Sequence, residues 1–135
     1  SLIVEGVFVR HPNLKMVMIE SGFTWLPSYL WRLHKFWRGL RMETPWVDRA
    51  PVEIVRSNIR FSLQPVDAPP DATVLNRLFD HMQSDELLLF STDYPHWQFE
   101  GNQALPDGLS EGLARKIMLD NPFATYGRRK QKAPA

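Results

Sequence analysis

The stretch that most constrains the fold runs from Leu87 to His96. Its first half, Leu87 to Phe90, is four consecutive apolar residues, a pattern typical of a strand buried on both faces of a parallel sheet. The polar turn Ser91 to Pro95 ends the strand, because proline has no N–H to donate to a sheet. Asp93 therefore follows a buried strand, where α/β folds place catalytic groups. Alternatively, Asp93 only accepts hydrogen bonds within its own turn.

Two other segments have the composition of short buried strands. Leu14 to Ile19 is one, and Ile59 to Leu63 is the other. Glu20 directly follows the first of them, so it occupies the same kind of position as Asp93. We predict that all three strands are parallel and adjacent in chain order, because helical segments separate them.

The helices are predicted from apolar spacing and from their start and stop signals. An opening helix is predicted to end before Pro12, and a long helix to start near Pro27. A short helix is predicted from Pro51 to Asn58, and another, with Asp71 as its N-cap, runs to about Met82. A last helix is predicted to end near Asn121-Pro122. The long helix has an expected inward stripe of Leu26, Tyr29, Leu30, Leu33, Trp37 and Leu40, and the last helix has Leu109, Leu113 and Ile117. This alternation predicts an α/β fold, either a minimal doubly wound sheet or part of a larger barrel.

Composition excludes several classes of partner. The 135 residues are 44% hydrophobic, enough for the core of one domain. Sixteen basic residues against fifteen acidic ones argue against nucleic acid as a partner. No apolar run approaches the ~20 residues of a membrane span. The absence of cysteine suits a reducing compartment, so we expect a cytoplasmic protein. Residues 128–135 form a basic tail that we expect to be flexible and solvated.

Several stretches together resemble a known family. Pro12 to Gly22 resembles the sixth strand and its turn in amidohydrolase-related proteins, the metal-dependent TIM-barrel hydrolases and decarboxylases of the aminocarboxymuconate-semialdehyde decarboxylase type. Phe90 to His96 resembles the eighth-strand motif of that family, in which an Asp precedes an aromatic residue and proline. Asp120 to Ala124 is similar to the Asn-Ala pair of its last helix. The resemblance covers the chain from about Phe8 to Gly127.

This resemblance implies that residues 1–127 are the C-terminal part of a TIM (β/α)8 barrel, since a complete barrel needs about 250 residues. The chain also opens without Met, in what looks like the end of a helix, which fits a fragment. In the family the eighth-strand Asp binds the metal or acts as a general acid/base. Asp93 inherits this role, with Zn or Mn as the expected metal and with other ligands upstream.

The chain departs from the family at Glu20, where the family commonly has a His that binds metal or substrate. A carboxylate can be a metal ligand, but Glu20 could equally brace the turn that follows it. His96 lies three residues after Asp93 and is a candidate substrate contact or a loop-packing residue. Trp25 is a candidate pocket wall, with ordinary packing as the alternative.

Two functions follow from these observations. The first is a metal-dependent hydrolase or carboxy-lyase acting on a small organic substrate. Such an enzyme could assemble as a homo-oligomer, and we expect the fragment alone to be inactive. The second is a non-catalytic binding protein on the same barrel scaffold, because Glu20 breaks the usual ligand set and a fold does not fix a function. Hydrolysis and decarboxylation stay open, since both use the same site on the same fold.

Overall fold

The computed structural model describes residues 1–95, 97 and 104–127, and three short strands alternate with helices along them. The elements are α1 (Val7–Arg10), β1 (Met16–Met18), α2 (Leu26–Gly39), α3 (Pro51–Asn58), β2 (Ile59–Ser62), α4 (Ala72–Met82) and β3 (Leu88–Leu89). The last helix consists of α5 (Glu111–Arg115), a π-helical segment (Lys116–Asp120) and α6 (Asn121–Tyr126). His96 and residues 128–135 lie outside the described residues.

The three strands form one parallel sheet in the order β1-β2-β3, which confirms the predicted arrangement. Met18 pairs with Phe61, and Phe61 pairs with Leu88. The strands are shorter than the apolar runs that predicted them: Leu14 and Ile19, for example, lie outside β1 and are exposed. Only the part of each run that meets its neighbour in register is a strand.

The two faces of the sheet differ in chemistry. Successive side chains of a strand point to opposite faces, so the register separates two sets of residues. The helix-covered face carries Met16, Met18, Ile59, Phe61 and Leu88, and the opposite face carries Val17, Arg60, Ser62 and Leu89. Leu26, Tyr29 and Leu33 of α2 border the same cavity as the first set, so α2 covers that face. The opposite face is the one that a closed barrel turns inward.

Two predicted helix starts are confirmed, whereas Leu109, which was predicted to belong to the last helix, lies before that helix begins at Glu111. α3 begins at Pro51, and the carboxylate of Asp71 accepts the amide of Thr73 at 2.7 Å, which confirms Asp71 as the N-cap of α4. α1 ends at Arg10, before Pro12, although it is only four residues long. No helix of the described part of the chain is long and apolar enough to cross a membrane.

The predicted stripe of α2 is only partly buried. Leu26 and Leu30 are buried, whereas Tyr29 and Leu40 are nearly half exposed. The N-terminal half of α2 packs on the sheet, and no residue beyond Leu30 in this helix is fully buried. Regular spacing therefore predicted the helix correctly but overstated how much of it the core covers.

The prediction that the last helix ends near Asn121-Pro122 is wrong, because the helix continues to Tyr126. Pro122 lies in the first turn of α6, directly after the π-helical segment, where its missing N–H is tolerated. The carbonyl of Ile117 accepts the amide of Phe90 at 2.9 Å. The last helix therefore lies along the outer edge of β3, and Ile117 is fully buried as expected.

Asn121 completes this contact. Its side-chain Nδ2 donates to the carbonyls of Asp85 at 2.8 Å and Leu88 at 3.0 Å. The carbonyls of Leu87 and Leu89 accept the amides of Phe61 and Leu63. The backbone polar groups of Leu88 and Phe90 therefore point to the outer edge. In this chain the last helix therefore bonds to groups of β3 that would face a further strand in a closed barrel.

Candidate active site

The two carboxylates predicted to form the site share an unusual backbone conformation. Glu20 has φ 55° and Asp93 has φ 56°, both in the left-handed region that non-glycine residues seldom adopt. Among the described residues only one other non-glycine residue, Gln83, has a positive φ, and it ends helix α4 as such residues commonly do. Backbone strain away from helix ends is concentrated at functional sites. The conformation singles out the residues after β1 and β3.

Hydrogen bonds tie the ends of the three strands together. The Oγ of Ser62 accepts the amide of Glu20 at 2.9 Å and donates to the carbonyl of Gln64 at 3.2 Å. The amide of Gln64 in turn donates to the Oγ of Ser91 at 3.3 Å. We call this path from Glu20 through Ser62 and Gln64 to Ser91 the exit network. It connects the carboxyl ends of β1, β2 and β3 in one line.

Gln64 is the most buried member of the exit network, with 1% of its surface exposed. Its Nε2 donates to the carbonyl of Ala104 at 3.0 Å, and its Oε1 accepts the amide of Val66 at 3.2 Å. Buried amide groups require such partners. The side chain thus fixes the segment after β2 against the one beginning at Ala104. In the sequence Gln64 indicated only the end of a strand.

Asp67 fixes the loop that follows Glu20. Its carboxylate accepts the amides of Phe23 and Thr24 at 3.2 Å and the Thr24 hydroxyl at 2.7 Å. Gly22 has φ 64°, and a Cβ there would lie 2.7 Å from Asp67 Oδ2, so only glycine fits. Sequence reasoning assigned Asp67 to a loop and missed this contact, because the two segments are 43 residues or more apart.

Trp25 lies on the helix-covered side of the sheet. Its Nε1 donates to the carbonyl of Ser21 at 2.9 Å, and its ring meets Phe61 edge-on with centroids 5.8 Å apart. Together with Met18 and Tyr29 it lines an apolar cavity of about 450 Å³. Phe61 and Ser62 point to opposite faces, so this cavity and the exit network lie on different sides of β2. The role of Trp25 as a substrate contact stays a prediction.

The described residues do not form a metal site by themselves. Within residues 1–95, 97 and 104–127, no three side chains of His, Cys, Asp or Glu lie together in a group able to hold an ion. Glu20 and Asp93 carry carboxylate oxygens, which are hard ligands. Hard ligands suit Mn²⁺ better than soft ligands such as thiolates do. A metal site that used both carboxylates would need further donors from outside the described residues. His96, the predicted substrate contact, lies outside the described residues.

The opposite end of the sheet carries charged side chains of both signs. Arg60 is 7% exposed and donates to the carbonyls of Arg56 and Ile59, both at 2.8 Å. Its Nη2 also forms an ion pair with Oε2 of Glu86 at 3.6 Å. Burial lowers the pKa of Arg60, against an opposing effect of Glu86. Burial also lowers the pKa of Lys15, as does the nearby charge of Arg60. In barrels this N-terminal end serves stability, whereas the carboxyl end serves catalysis.

Comparison with known proteins identifies the family of this chain. The profile of the family described as Amidohydrolase matches residues 1–128. No curated protein matches the chain. A crystal structure of an amidohydrolase from Mycobacterium avium subsp. paratuberculosis is 32% identical with a TM-score of 0.72, and the match covers 93% of this chain and 31% of that one.

Two decarboxylases share the fold at lower identity. The 5-carboxyvanillate decarboxylase of Sphingomonas paucimobilis is 20% identical with a TM-score of 0.62, over 93% of this chain and 37% of that one. A dihydroxybenzoic acid decarboxylase from Polaromonas, with bound manganese and the inhibitor 2-nitroresorcinol, is 22% identical with a TM-score of 0.67, over the same shares. The chain spans about a third of the length of these structures. Its three parallel strands match a fragment of a TIM barrel, and the chain belongs to the amidohydrolase family.

Proposed function

We propose that this chain is part of a metal-dependent hydrolase or carboxy-lyase that acts on a small organic substrate, with Asp93 as the general acid/base. The observation that carries the proposal is the pair of left-handed carboxylate residues, Glu20 and Asp93, at strand ends that the exit network joins. Family membership and the structural similarity to two decarboxylases support it.

The chemistry follows from where the carboxylates sit. In hydrolysis the Asp93 carboxylate would accept a proton from the attacking water, and in decarboxylation its protonated form would give a proton to the carbon that loses carbon dioxide. Glu20 would hold the metal or orient the substrate. A divalent ion, Mn²⁺ or Zn²⁺, would polarise an oxygen of the substrate or of water as a Lewis acid. Trp25 and His96 are proposed substrate contacts.

We also propose that residues 1–127 are the C-terminal part of the barrel and that residues 128–135 are a tail. β1 is an outer strand, and Ile19 just beyond it is 69% exposed, as expected where another strand joins the sheet. The full barrel would supply the remaining metal ligands. A cytoplasmic location, and a small-molecule substrate without a nucleic-acid or membrane partner, belong to the same proposal. So does assembly into a homo-oligomer.

The test is substitution in the full protein that carries this chain. Asp93→Asn should reduce kcat about 10²- to 10⁴-fold, which is the usual contribution of a general acid/base. The free energy of unfolding should change little. Glu20→Gln should be equally damaging if Glu20 binds the metal and milder if it braces its turn. Activity would be measured with Mn²⁺ on hydroxybenzoates for carbon dioxide release and on esters and lactones for hydrolysis.

Asp71→Asn is a matched control, because the Asp71 side chain caps α4 by accepting the Thr73 amide. Asn caps a helix about as well as Asp, so this variant should change both stability and kcat little. Full activity of Asp93→Asn would refute the catalytic role. A protein that binds aromatic acids, turns none of them over, and keeps that binding in Asp93→Asn would be the binding protein of the alternative hypothesis.

A further inference from the structure

The exit network uses the Ser62 hydroxyl both as an acceptor and as a donor. Ser62 is 5% exposed, and its Oγ both accepts from Glu20 and donates to Gln64. A serine hydroxyl has one proton to donate, and that proton is committed here. If the hydroxyl were removed, the amide of Glu20 and the carbonyl of Gln64 would both lose a partner.

Glu20 needs an external restraint to keep its conformation. A left-handed backbone is unfavourable for a residue with a Cβ, by roughly 1–2 kcal/mol. The Ser62 hydroxyl holds the amide of Glu20 itself, and Asp67 holds the amides of Phe23 and Thr24 further along the loop. Both restraints come from the segment of β2 and the residues after it. The direction of the Glu20 side chain is therefore set from the neighbouring strand.

The same strand restrains the exit of β3. The Gln64 amide donates to Ser91 Oγ, two residues before Asp93. Because the carbonyl of Gln64 is held by Ser62 and its amide by Ser91, a shift at one serine is transmitted through the Gln64 backbone to the other. The buried side chain of Gln64, bonded to Val66 and Ala104, keeps that backbone from moving away.

We propose that Ser62 and Ser91 are positioning residues that hold Glu20 and Asp93 in a fixed relation through Gln64. This inference rests on the proposed function, in which Glu20 and Asp93 act together. Neither serine touches the substrate. Each acts on a carboxylate residue through the backbone, so loss of a hydroxyl changes the geometry of the carboxylates without removing a reacting group.

The first measurement is amide hydrogen exchange by NMR in the protein and its variants. Ser62→Ala should speed exchange at the Glu20 amide about tenfold, the effect of losing one buried hydrogen bond. Ser91→Ala should do the same at the Gln64 amide. Ser62→Thr keeps a hydroxyl and should restore slow exchange at Glu20. Ser110→Ala is the matched control: Ser110 Oγ accepts the amide of Leu113 at the start of α5, so this variant loses the same type of bond without changing Glu20.

The second measurement is the double variant Ser62→Ala/Ser91→Ala. If Gln64 couples the two serines, the combined loss of kcat is smaller than the product of the single losses, each expected at about tenfold with KM nearly constant. Independent serines would give the full product and overturn the coupling. Unchanged exchange at Glu20 in Ser62→Ala, with kcat unaffected, would overturn the positioning role.

The two proposals can fail separately. If Asp93→Asn keeps full activity while Ser62→Ala speeds exchange at Glu20, the exit network is real and the catalytic assignment is wrong. If Asp93→Asn is inactive while neither serine variant changes kcat or exchange, the catalytic assignment holds and the positioning role is wrong.

Discussion

The two outer edges of the sheet are built differently. At β3 the last helix supplies hydrogen-bond partners to the edge: Ile117 accepts from Phe90, and Asn121 donates to Leu88. β1, the other outer strand, is followed by Ile19, whose side chain is 69% exposed. In this chain the outer edge of β3 therefore has helix partners, whereas the outer edge of β1 is exposed. In the proposed full barrel each of these edges would pair with a further strand. Substitutions at the two edges should therefore differ in their effects.

The largest effect is expected for Asn121→Asp. The carboxylate would face the carbonyls of Asp85 and Leu88 in a buried place, which should destabilise the fold by about 3–5 kcal/mol. Burial would raise the pKa of the new carboxyl, so the penalty applies above that raised value and is relieved as the pH falls and the group becomes a donor. Denaturant unfolding at pH 7 and pH 4 measures this. Equal losses at both pH values would show that Asn121 does not bind the β3 edge as described.

A smaller effect should separate the strands themselves. Leu89 and Val17 both lie on the opposite face, but Leu89 is 2% exposed and Val17 is only half-buried. Leu89→Ala should cost about 2–4 kcal/mol, and Val17→Ala about 1 kcal/mol. The free energy of unfolding of each variant, taken from denaturant midpoints, tests the comparison. Similar losses for both would mean that β1 is as well packed as β3.

Ile19→Lys should change the free energy of unfolding by no more than about 0.5 kcal/mol, because the side chain is mostly in solvent. Its effect should appear in association instead. A lysine beside an open strand edge opposes pairing with other chains, so light scattering should show less self-association of the 135-residue chain. Unchanged association would argue that the β1 edge is not what the chains use.

The smallest effect is expected for Lys116→Met. Lys116 donates to Asp85 at 2.6 Å, and this hydrogen bond raises the pKa of Lys116. A raised lysine pKa stabilises the fold below the ordinary value of 10.5, and that contribution is lost as the pH rises through the higher folded value. The pair is exposed, so the stability difference from wild type should be small and disappear in 1 M salt, where the screening length is about 3 Å. A difference that persists in high salt would point to packing.

The strands and most helix starts could be predicted because their signals are local. Four apolar residues before a polar turn give a buried strand, and Asp71 and Pro51 give helix starts. The order of the strands then follows from the helices between them. The positions of Asp93 and Glu20 after strands were likewise readable from neighbouring residues alone.

The contacts that restrain those positions could not be predicted from the sequence alone. Gln64 bonds Ala104, 40 residues away, and Asp67 bonds Thr24, 43 residues away. Nothing in the residues around Gln64 indicates that it is fully buried, because burial depends on segments distant in the chain. The end of the last helix was mispredicted for the same reason. Asn121-Pro122 has the local pattern of a helix stop, but the helix continues beyond it while Asn121 bonds to Leu88 in β3.

In the π-helical segment before Asn121, the number of residues matters more than their identity. Three residues separate Ile117 from Asn121, and all three, Met118, Leu119 and Asp120, are exposed. A helix turns about 100° per residue, so deleting one of these residues would rotate α6 and carry the Asn121 amide away from Leu88. Substitutions at Met118 and Leu119 should be tolerated, whereas a single-residue deletion or insertion there should not. Among natural variants of this chain, the spacing from Ile117 to Asn121 should be kept even where the residues between them change.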